Sequence, residues 1–363
     1  MKSQDDPKLK VLLVGPYPPP YGGIAMTVFV LRHYLRAQDL CEVVVLDIGE
    51  RRRETIDECL PAKGLFDYLW KVLRFALHGY TIHLETNGHN FKSWLSALVC
   101  SVAGTLNGRK TVIAFGSGSL PEYLQQVGGM ARLVVRVVLN RAGIVICRNQ
   151  GMLEALRAFG GQKLRIELVP GFMGLHGRQI GPLPKAVEEF CRTHEPVLGA
   201  TVNLSPEYGV PLALQAVEQM KKRYPKLGLI LIGIGPEAEK HLSELALVRE
   251  HVLLAGQLTP DVILSVMKRL SVFLRPTYFE GDSLSVREAL ALGVPVVASD
   301  TGSRPDGIGL FKVGDCADLC RHLYMALEKR MTAPRPSELR PPEEGNAPRM
   351  LEVYRTLQRQ VQG

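Results

Sequence analysis

Short apolar runs recur along the chain and alternate with longer stretches of helical period. Runs at 10–14, 41–46, 81–84, 110–114 and 144–147 read as strands buried on both faces, with helices at 27–36, 91–106 and 131–139 between them. After Val169-Pro170-Gly171-Phe172 the rhythm pauses, and segment 177–184 (GRQIGPLP) has no period and is rich in Gly and Pro, so it reads as a linker. A second set follows, with strands at 197–202, 227–233, 251–255, 270–274 and 294–298 and helices at 210–222, 237–247 and 284–292. Segment 333–348 is Pro-rich and reads as extended, ahead of a final helix from Met350. Apolar strands alternating with helices predict an α/β protein of two doubly wound parallel sheets facing a cleft, with domains at 1–178 and 185–340. Ligands of such sheets bind beyond the carboxyl ends of the strands, so the chemistry is sought in the loops that follow them.

Composition agrees with this picture. A chain of 363 residues exceeds the usual size of one core, and 46% hydrophobic with 22% charged residues excludes wholesale disorder. The polar start 1–10 and the four-residue apolar run after it predict no secretory signal, and no apolar stretch is long enough to span a bilayer. Cys41, Cys59, Cys100, Cys147, Cys191, Cys316 and Cys320 are scattered without a CxxC, which predicts reduced thiols in a cytoplasm and neither a disulfide frame nor structural zinc. Cys316 and Cys320, one helical turn apart, read as small buried residues. The net charge of +8 suits an anionic partner, be it phosphate, membrane surface or nucleic acid.

Two loops carry candidate chemistry. The first runs from Gly15 through three consecutive prolines to Gly22 and Gly23, ahead of a helix. It is either a plain tight turn or a place where backbone amides approach a phosphate; it matches neither GxGxxG nor GxxxxGK[ST]. The second loop, 275–283 (RPTYFEGDS), leads into a helix ended by Gly293, with Asp282 or Ser283 as its N-cap. Glu280 lies in that loop and Glu288 on the helix. The helix N-terminus favours an anion, and a carboxylate can accept the two hydroxyl hydrogen bonds of a sugar diol.

Glu280 to Glu288, followed by ALALGVPVVAS, resembles the E-x7-E segment of retaining GT-B glycosyltransferases, specifically the group-1 family of GT4 type. Further pieces fall in the family's order: the glycine loop and helix at 16–35, Leu168-Val169-Pro170, the Gly-x-Gly-Pro turn of Gly233, Gly235 and Pro236, and Leu254-Ala255-Gly256. The resemblance implies a GT-B fold whose first domain is completed by the C-terminal helix 349–363. It also implies a nucleotide-sugar donor used as substrate, with no cofactor and no metal, and no DxD occurs. By it, Glu288 holds ribose hydroxyls and Glu280 sits by the donor sugar. The amides of Ser283, Leu284 and Ser285 take the distal phosphate, Gly233 to Pro236 lie under the base, and Gly22 and Gly23 border the phosphates. The departing phosphate itself can assist the acceptor hydroxyl, leaving the protein to position and to stabilise charge.

The chain departs from that pattern. Where the family places an Arg and a Lys to clamp the diphosphate, this chain has Asn203 and Tyr208, beside Glu207. Where many relatives have His-Gly, it has Phe115-Gly116, which turns attention to His83 and His89 on the acceptor side. Cations stand elsewhere, at Arg275, Arg287 and Arg304. Arg275 and Arg304 either replace the clamp or pair with Glu280, Asp282 or Asp306.

The first domain also has a basic, apolar segment at 63–80. Leu65, Phe66, Leu69, Leu73 and Leu77 form a stripe flanked by Trp70, Lys71, Arg74 and His78, and Arg132, Arg136 and Arg141 punctuate a second helix. These are either helices packed by their stripes on the sheet or a surface for an anionic inner membrane, and no nucleic-acid motif accompanies the charge. The expectation is therefore a cytoplasmic, peripheral glycosyltransferase that transfers a sugar, with retention, to a glycan or lipid-linked acceptor in cell-surface polysaccharide biosynthesis. Two rivals are a non-catalytic nucleotide-sugar-binding or partner subunit that lost the clamp and a GT-B enzyme of another type, such as an epimerase or phosphorylase-like protein.

Overall fold

The computed structural model describes residues 8–38, 41–49, 58–106, 108, 111–160, 164–175, 178, 180–332 and 345–362. The chain forms two compact units, Met1–Gly177 with Glu344–Gly363, and Arg178–Glu343.

In the first unit the strands are β1 (Leu9–Gly15), β2 (Cys41–Asp47), β3 (Leu60–Pro61), β4 (Thr81–Thr86), β5 (Val112–Phe115), β6 (Ile144–Cys147) and β7 (Ile166–Leu168). They form one parallel sheet in the order β3-β2-β1-β4-β5-β6-β7, so the winding reverses between β1 and β4. The helices are α1 (Gly23–Arg36), α2 (Leu65–Leu77), α3 (Phe91–Leu106), α4 (Leu120–Gln126), α5 (Gly129–Arg141) and α6 (Gln150–Gly160). Because strand side chains alternate in direction, Leu12, Val14, Ile82, Leu84, Ile113 and Phe115 point to one face, where they pack with α2 to α6. The opposite face carries α1 and the last helix of the chain, Ala347–Gln362, which starts three residues earlier than the sequence pattern indicates.

That returning helix is tied down by polar contacts. Asn346 donates its side-chain amide to the carbonyls of Pro170 (3.1 Å) and Phe172 (3.0 Å). Tyr354, fully buried, hydrogen-bonds His83 Nδ1 at 2.5 Å, and His83 Nε2 lies 3.3 Å from Glu85 Oε1. Arg148 reaches both Glu85 oxygens at 2.6 Å and donates to the Val169 carbonyl at 3.0 Å. Burial alone would raise the Glu85 pKa, but the charge of Arg148 and the contact with His83 hold it at about 2. His83, a candidate for the acceptor side, therefore sits inside this buried network, since alternation along β4 turns it to the face that the last helix covers.

The second unit repeats the plan. Its strands are β8 (Val197–Thr201), β9 (Gly228–Ile232), β10 (Val252–Gly256), β11 (Val272–Arg275), β12 (Val296–Ser299) and β13 (Gly309–Phe311), parallel in the order β10-β9-β8-β11-β12-β13. Its helices are α7 (Lys185–Thr193), α8 (Val210–Met220), α9 (Pro260–Met267), α10 (Leu284–Ala291) and α11 (Cys316–Thr332), so the C-terminal helix of the chain is α12. The winding reverses between β8 and β11. Segment 237–247 is not the single helix its pattern predicts. It forms two 3₁₀ turns, Pro236–His241 and Ser243–Leu247, separated by the non-helical Leu242. The buried residues Leu242, Leu245 and Val248 recur every three positions, which fits three residues per turn rather than 3.6.

The Pro-rich stretch 333–344, Lys110 and Gly177 lie outside the described residues. All seven cysteines are free thiols; Cys320 is buried and Cys316 half-buried. No described helix is long and apolar enough to cross a membrane.

Removing one member of a buried ion pair strands the other. Arg148→Met should cost the first unit about 3–5 kcal/mol, while Arg148→Met with Glu85→Gln should cost less, because no bare carboxylate remains. A depressed carboxyl pKa stabilises above the unfolded value of about 4.3. That contribution is lost as pH falls toward about 2, so the gap in denaturant midpoint between the parent and the double variant should close across that window.

Candidate functional site

The ends of β8, β11 and β12 lie side by side, because β11 pairs with β8 on one edge and with β12 on the other. This is where the strand order of the second sheet reverses, and loops from adjacent strands diverge there to leave room for a ligand. Arg275 is the last residue of β11. Its guanidinium donates to Glu280 through Nε (2.7 Å, to Oε2) and Nη2 (3.0 Å, to Oε1), and through Nη1 to the carbonyl (2.7 Å) and hydroxyl (3.3 Å) of Thr201 at the end of β8. Arg304 approaches the same carboxylate at 3.4 Å and donates to the Ser299 carbonyl (2.9 Å) and the hydroxyls of Thr277 (3.2 Å) and Ser299 (3.3 Å). The Thr277 hydroxyl donates to Glu280 at 3.2 Å.

Two cations thus surround one buried carboxylate, and the cluster keeps a net positive charge. Burial opposes the ionised form of Glu280, yet Arg275 and then Arg304 outweigh it, so its pKa is lowered, while the carboxylate raises that of Arg275. Of the two roles open to Arg275 and Arg304, the structure shows pairing with Glu280. It also gives Tyr208 a role: its ring lies 5.0 Å under the Arg275 guanidinium, a cation–π contact. Asn203, exposed, turns inward on its own loop and accepts the Ser205 amide at 2.7 Å.

Backbone crossings hold these loops. Ser303 donates its amide to the Gly281 carbonyl at 2.8 Å, and Tyr278 to that of Glu207 at 2.8 Å. Gly302 adopts φ +68, and a Cβ there would stand 2.1 Å from the Glu280 carbonyl oxygen, so no other residue fits. Gly233, at φ +108, has the Val202 carbonyl oxygen 2.2 Å from where its Cβ would be. Gly235 donates to Glu237 at 3.2 Å, and Pro236 opens the first 3₁₀ turn.

Ser283 occupies the N-cap of α10 but makes no side-chain cap; its hydroxyl meets that of Ser285 at 3.2 Å. Leu284 is the first helical residue. Asp282 accepts from Arg287 Nε at 2.7 Å, and Gly293 ends the helix at φ +72. Glu288 belongs to a separate contact set. It pairs with Arg178, whose Nη2 also donates to the Pro260 carbonyl at 3.0 Å. Both side chains are largely buried, and burial raises the Glu288 pKa against the pull of Arg178. Sequence reasoning misses Arg178 because it stands in the aperiodic Gly/Pro-rich segment; the only signal is a cation where the pattern indicates featureless linker.

In the first unit, Gly22 caps α1 in an extended conformation, and a Cβ added at Gly22 or Gly23 would meet no atom within 4 Å. Phe115 is fully buried against Trp94, ring centroids 4.8 Å apart, and so belongs to the core. His89 is exposed. Among the described residues no cluster of acidic, His or Cys side chains is arranged to hold a metal ion.

Residues 188–321 match the family model described as Glycosyl transferases group 1. A curated relative, the GDP-mannose-dependent alpha-(1-6)-phosphatidylinositol monomannoside mannosyltransferase of Mycolicibacterium smegmatis, is 26% identical over 203 residues, covering 52% of each chain. The chain thus spans about half the length of the curated relatives it matches. Sucrose-phosphate synthase from Thermosynechococcus elongatus superposes with TM-score 0.67 at 20% identity, over 96% of this chain and 99% of that one. Anabaena Alr3699/HepE, solved in complex with UDP-glucose, gives TM-score 0.66 at 17% identity, over 97% and 98%. At these identities the likeness establishes the fold, two parallel-sheet units of GT-B type.

Arg275 serves Glu280, Thr201 and Tyr208 at once. Arg275→Met should therefore destabilise the second unit by about 3–5 kcal/mol, and Glu280→Gln in the same chain should recover part of that loss. Thermal or urea unfolding of the single and double variants checks this; a loss below about 1 kcal/mol would mean that the pair is not structural.

Proposed function

We propose that this chain is a group 1 glycosyl transferase that moves a sugar from a nucleotide-sugar donor to a glycan or lipid-linked acceptor. The observation that carries this reading is positional. The family match at 188–321 contains Asn203, Gly233, Arg275, Glu280, Ser283 to Ser285, Glu288 and Arg304. These residues cluster in the loops after β8, β9, β11 and β12 and at the start of α10, on the ligand-binding side of an open α/β sheet. A relative named as GDP-mannose-dependent and a neighbour solved with UDP-glucose support a nucleotide-sugar donor.

In this reading the type is GT4 and the donor lies against the second unit. Glu288, oriented by Arg178 on one oxygen, offers its other to the ribose hydroxyls, and Gly233, Gly235 and Pro236 lie under the base. The amides of Ser283, Leu284 and Ser285, at the positive end of α10, receive the distal phosphate. Arg275 and Arg304 hold Glu280 beside the donor sugar, and their surplus positive charge favours the diphosphate as it departs. The bond from the anomeric carbon to phosphate breaks, and the bond to the acceptor oxygen forms on the same face. The acceptor's proton passes to the leaving phosphate, so neither a metal nor a protein nucleophile takes part. An acceptor used in cell-surface polysaccharide assembly would be met from the cytoplasmic side, at the inner face of the plasma membrane.

Thermal denaturation with UDP, GDP, ADP, CMP and their sugars tests the donor. One nucleotide class should raise the melting temperature, by the equivalent of about 2.7 kcal/mol at a hundredfold excess over Kd. Glu288→Ala should remove that response; no response to any member of the panel would overturn the reading. With the donor known, NMR of the first-formed product should show the donor's own anomeric configuration, and an inverted product would refute the same-face route.

A further inference from the structure

The stripe on α2 that sequence reasoning could assign to the sheet does not face it. Tyr68, Val72 and Ala76 are the buried residues of α2, and the Tyr68 hydroxyl meets Ser96 Oγ at 2.7 Å and Cys100 Sγ at 3.2 Å, which fixes the rotation of the helix against α3. The other face therefore points outward, with Phe66 87%, Leu77 61% and Trp70 57% exposed, and Leu65, in the first turn, is 67% exposed. α3 packs between α2 and α5 on the same side of the sheet. Phe91 and Leu95 of α3 and Met130 and Leu133 of α5 extend the exposed apolar surface across all three helices.

The charge on these helices has one sign. Together they carry six basic residues and one acidic residue, Asp67, which Lys71 neutralises at 2.8 Å. Arg74 lies 5.1 Å over the Trp70 ring, so a cation and an aromatic stand together on the exposed face, and Lys92, Arg132 and Arg136 are exposed further along.

We infer that the outer face of α2, α3 and α5 is a docking surface for an anionic lipid bilayer. Exposed Trp, Phe and Leu among Arg and Lys, spread over a layer of three helices, is the combination that seats a protein at the headgroup boundary: apolar side chains enter the acyl edge and cations meet the phosphates. A second copy of the chain fits poorly, since a two-fold contact through this face would set basic residues against basic residues. The purpose of the surface, to bring a lipid-linked acceptor within reach, rests on the function proposed above; the binding itself does not.

The chain carries its own probe. It has two tryptophans, and Trp94 is buried with its indole donating to the Gly88 carbonyl at 2.9 Å, so a change of emission on contact with lipid reports Trp70. The full chain is mixed with vesicles of phosphatidylcholine alone or with an equal part of phosphatidylglycerol. The expected result is co-sedimentation and a blue shift with the anionic vesicles at low salt, weaker with phosphatidylcholine and reduced by added salt. Phe66→Ser with Leu77→Ser should weaken binding at least about tenfold and keep Trp70 as reporter. Arg74→Gln, Arg132→Gln and Arg136→Gln together should abolish the preference for phosphatidylglycerol. Leu247→Ser, an equally exposed site in the second unit, should change nothing. Failure of the parent to bind anionic vesicles at low salt would overturn the inference, as would undiminished binding by both face variants. It would also be overturned if light scattering showed a dimer that the apolar variants split. The assay contains no donor or acceptor, so lipid binding can stand while the nucleotide panel fails, and the reverse.

Discussion

A carboxylate taken out of water needs cations fixed beside it, and the second unit is organised around meeting that need for Glu280. Arg275 satisfies it from the end of β11 and Arg304 from the loop after β12, and each guanidinium directs its remaining donors to backbone or hydroxyl groups of neighbouring loops. Three loops are thereby bound to one charge. Gly302 is required because the chain must pass against the Glu280 carbonyl, and Tyr208 is drawn in as the surface on which Arg275 rests. The net positive charge that remains is what makes the same place suitable for a diphosphate in the proposed reaction.

The first unit solves a similar problem for another purpose. Glu85, Arg148, His83 and Tyr354 form a buried set joining β4, the residue after β6 and α12. Such a set gives little net stability compared with apolar packing, but it tolerates few alternative arrangements. Its effect is to fix where the last helix lies, against α1 and β1 from the start of the chain. Glu288 and Arg178 form a third buried pair, so the residue to which the proposed function assigns the ribose is already oriented by the first residue of its unit.

The α2 helix shows why a periodic pattern can be read correctly and still leave the placement of the helix open. Its apolar residues include both Leu65-Leu69-Leu73 and Tyr68-Val72-Ala76, two neighbouring stripes at the same spacing, rotated by about 60° from one another. Hydrophobicity alone favours the first, which is larger. Packing selects the second because Tyr68 can bury its ring and still find partners for its hydroxyl on α3, which no leucine on the other stripe could use. The loop after β11 behaves alike: Glu280, Arg275 and Arg304 are all visible in the sequence, but whether the cations serve the carboxylate or a ligand depends on distances between three loops.

What the sequence by itself determined is the local alternation: the longer, mainly apolar strands of four to seven residues, though not the short β3, β7 and β13, helices between them, and the pause that separates two sets. Each depends on neighbours along the chain, so period and turn residues suffice to read it, and the E-x7-E segment is legible for the same reason. The tertiary structure alone decided how α12 joins the first unit, which side of α2 is buried, and which cation each glutamate receives. Arg178 and Glu288 are 110 residues apart, and His83 and Tyr354 are 271 apart. Pairings over such distances follow from the order of strands in a sheet and from the cost of burying charge without a partner, and neither is expressed in the pattern of any single segment.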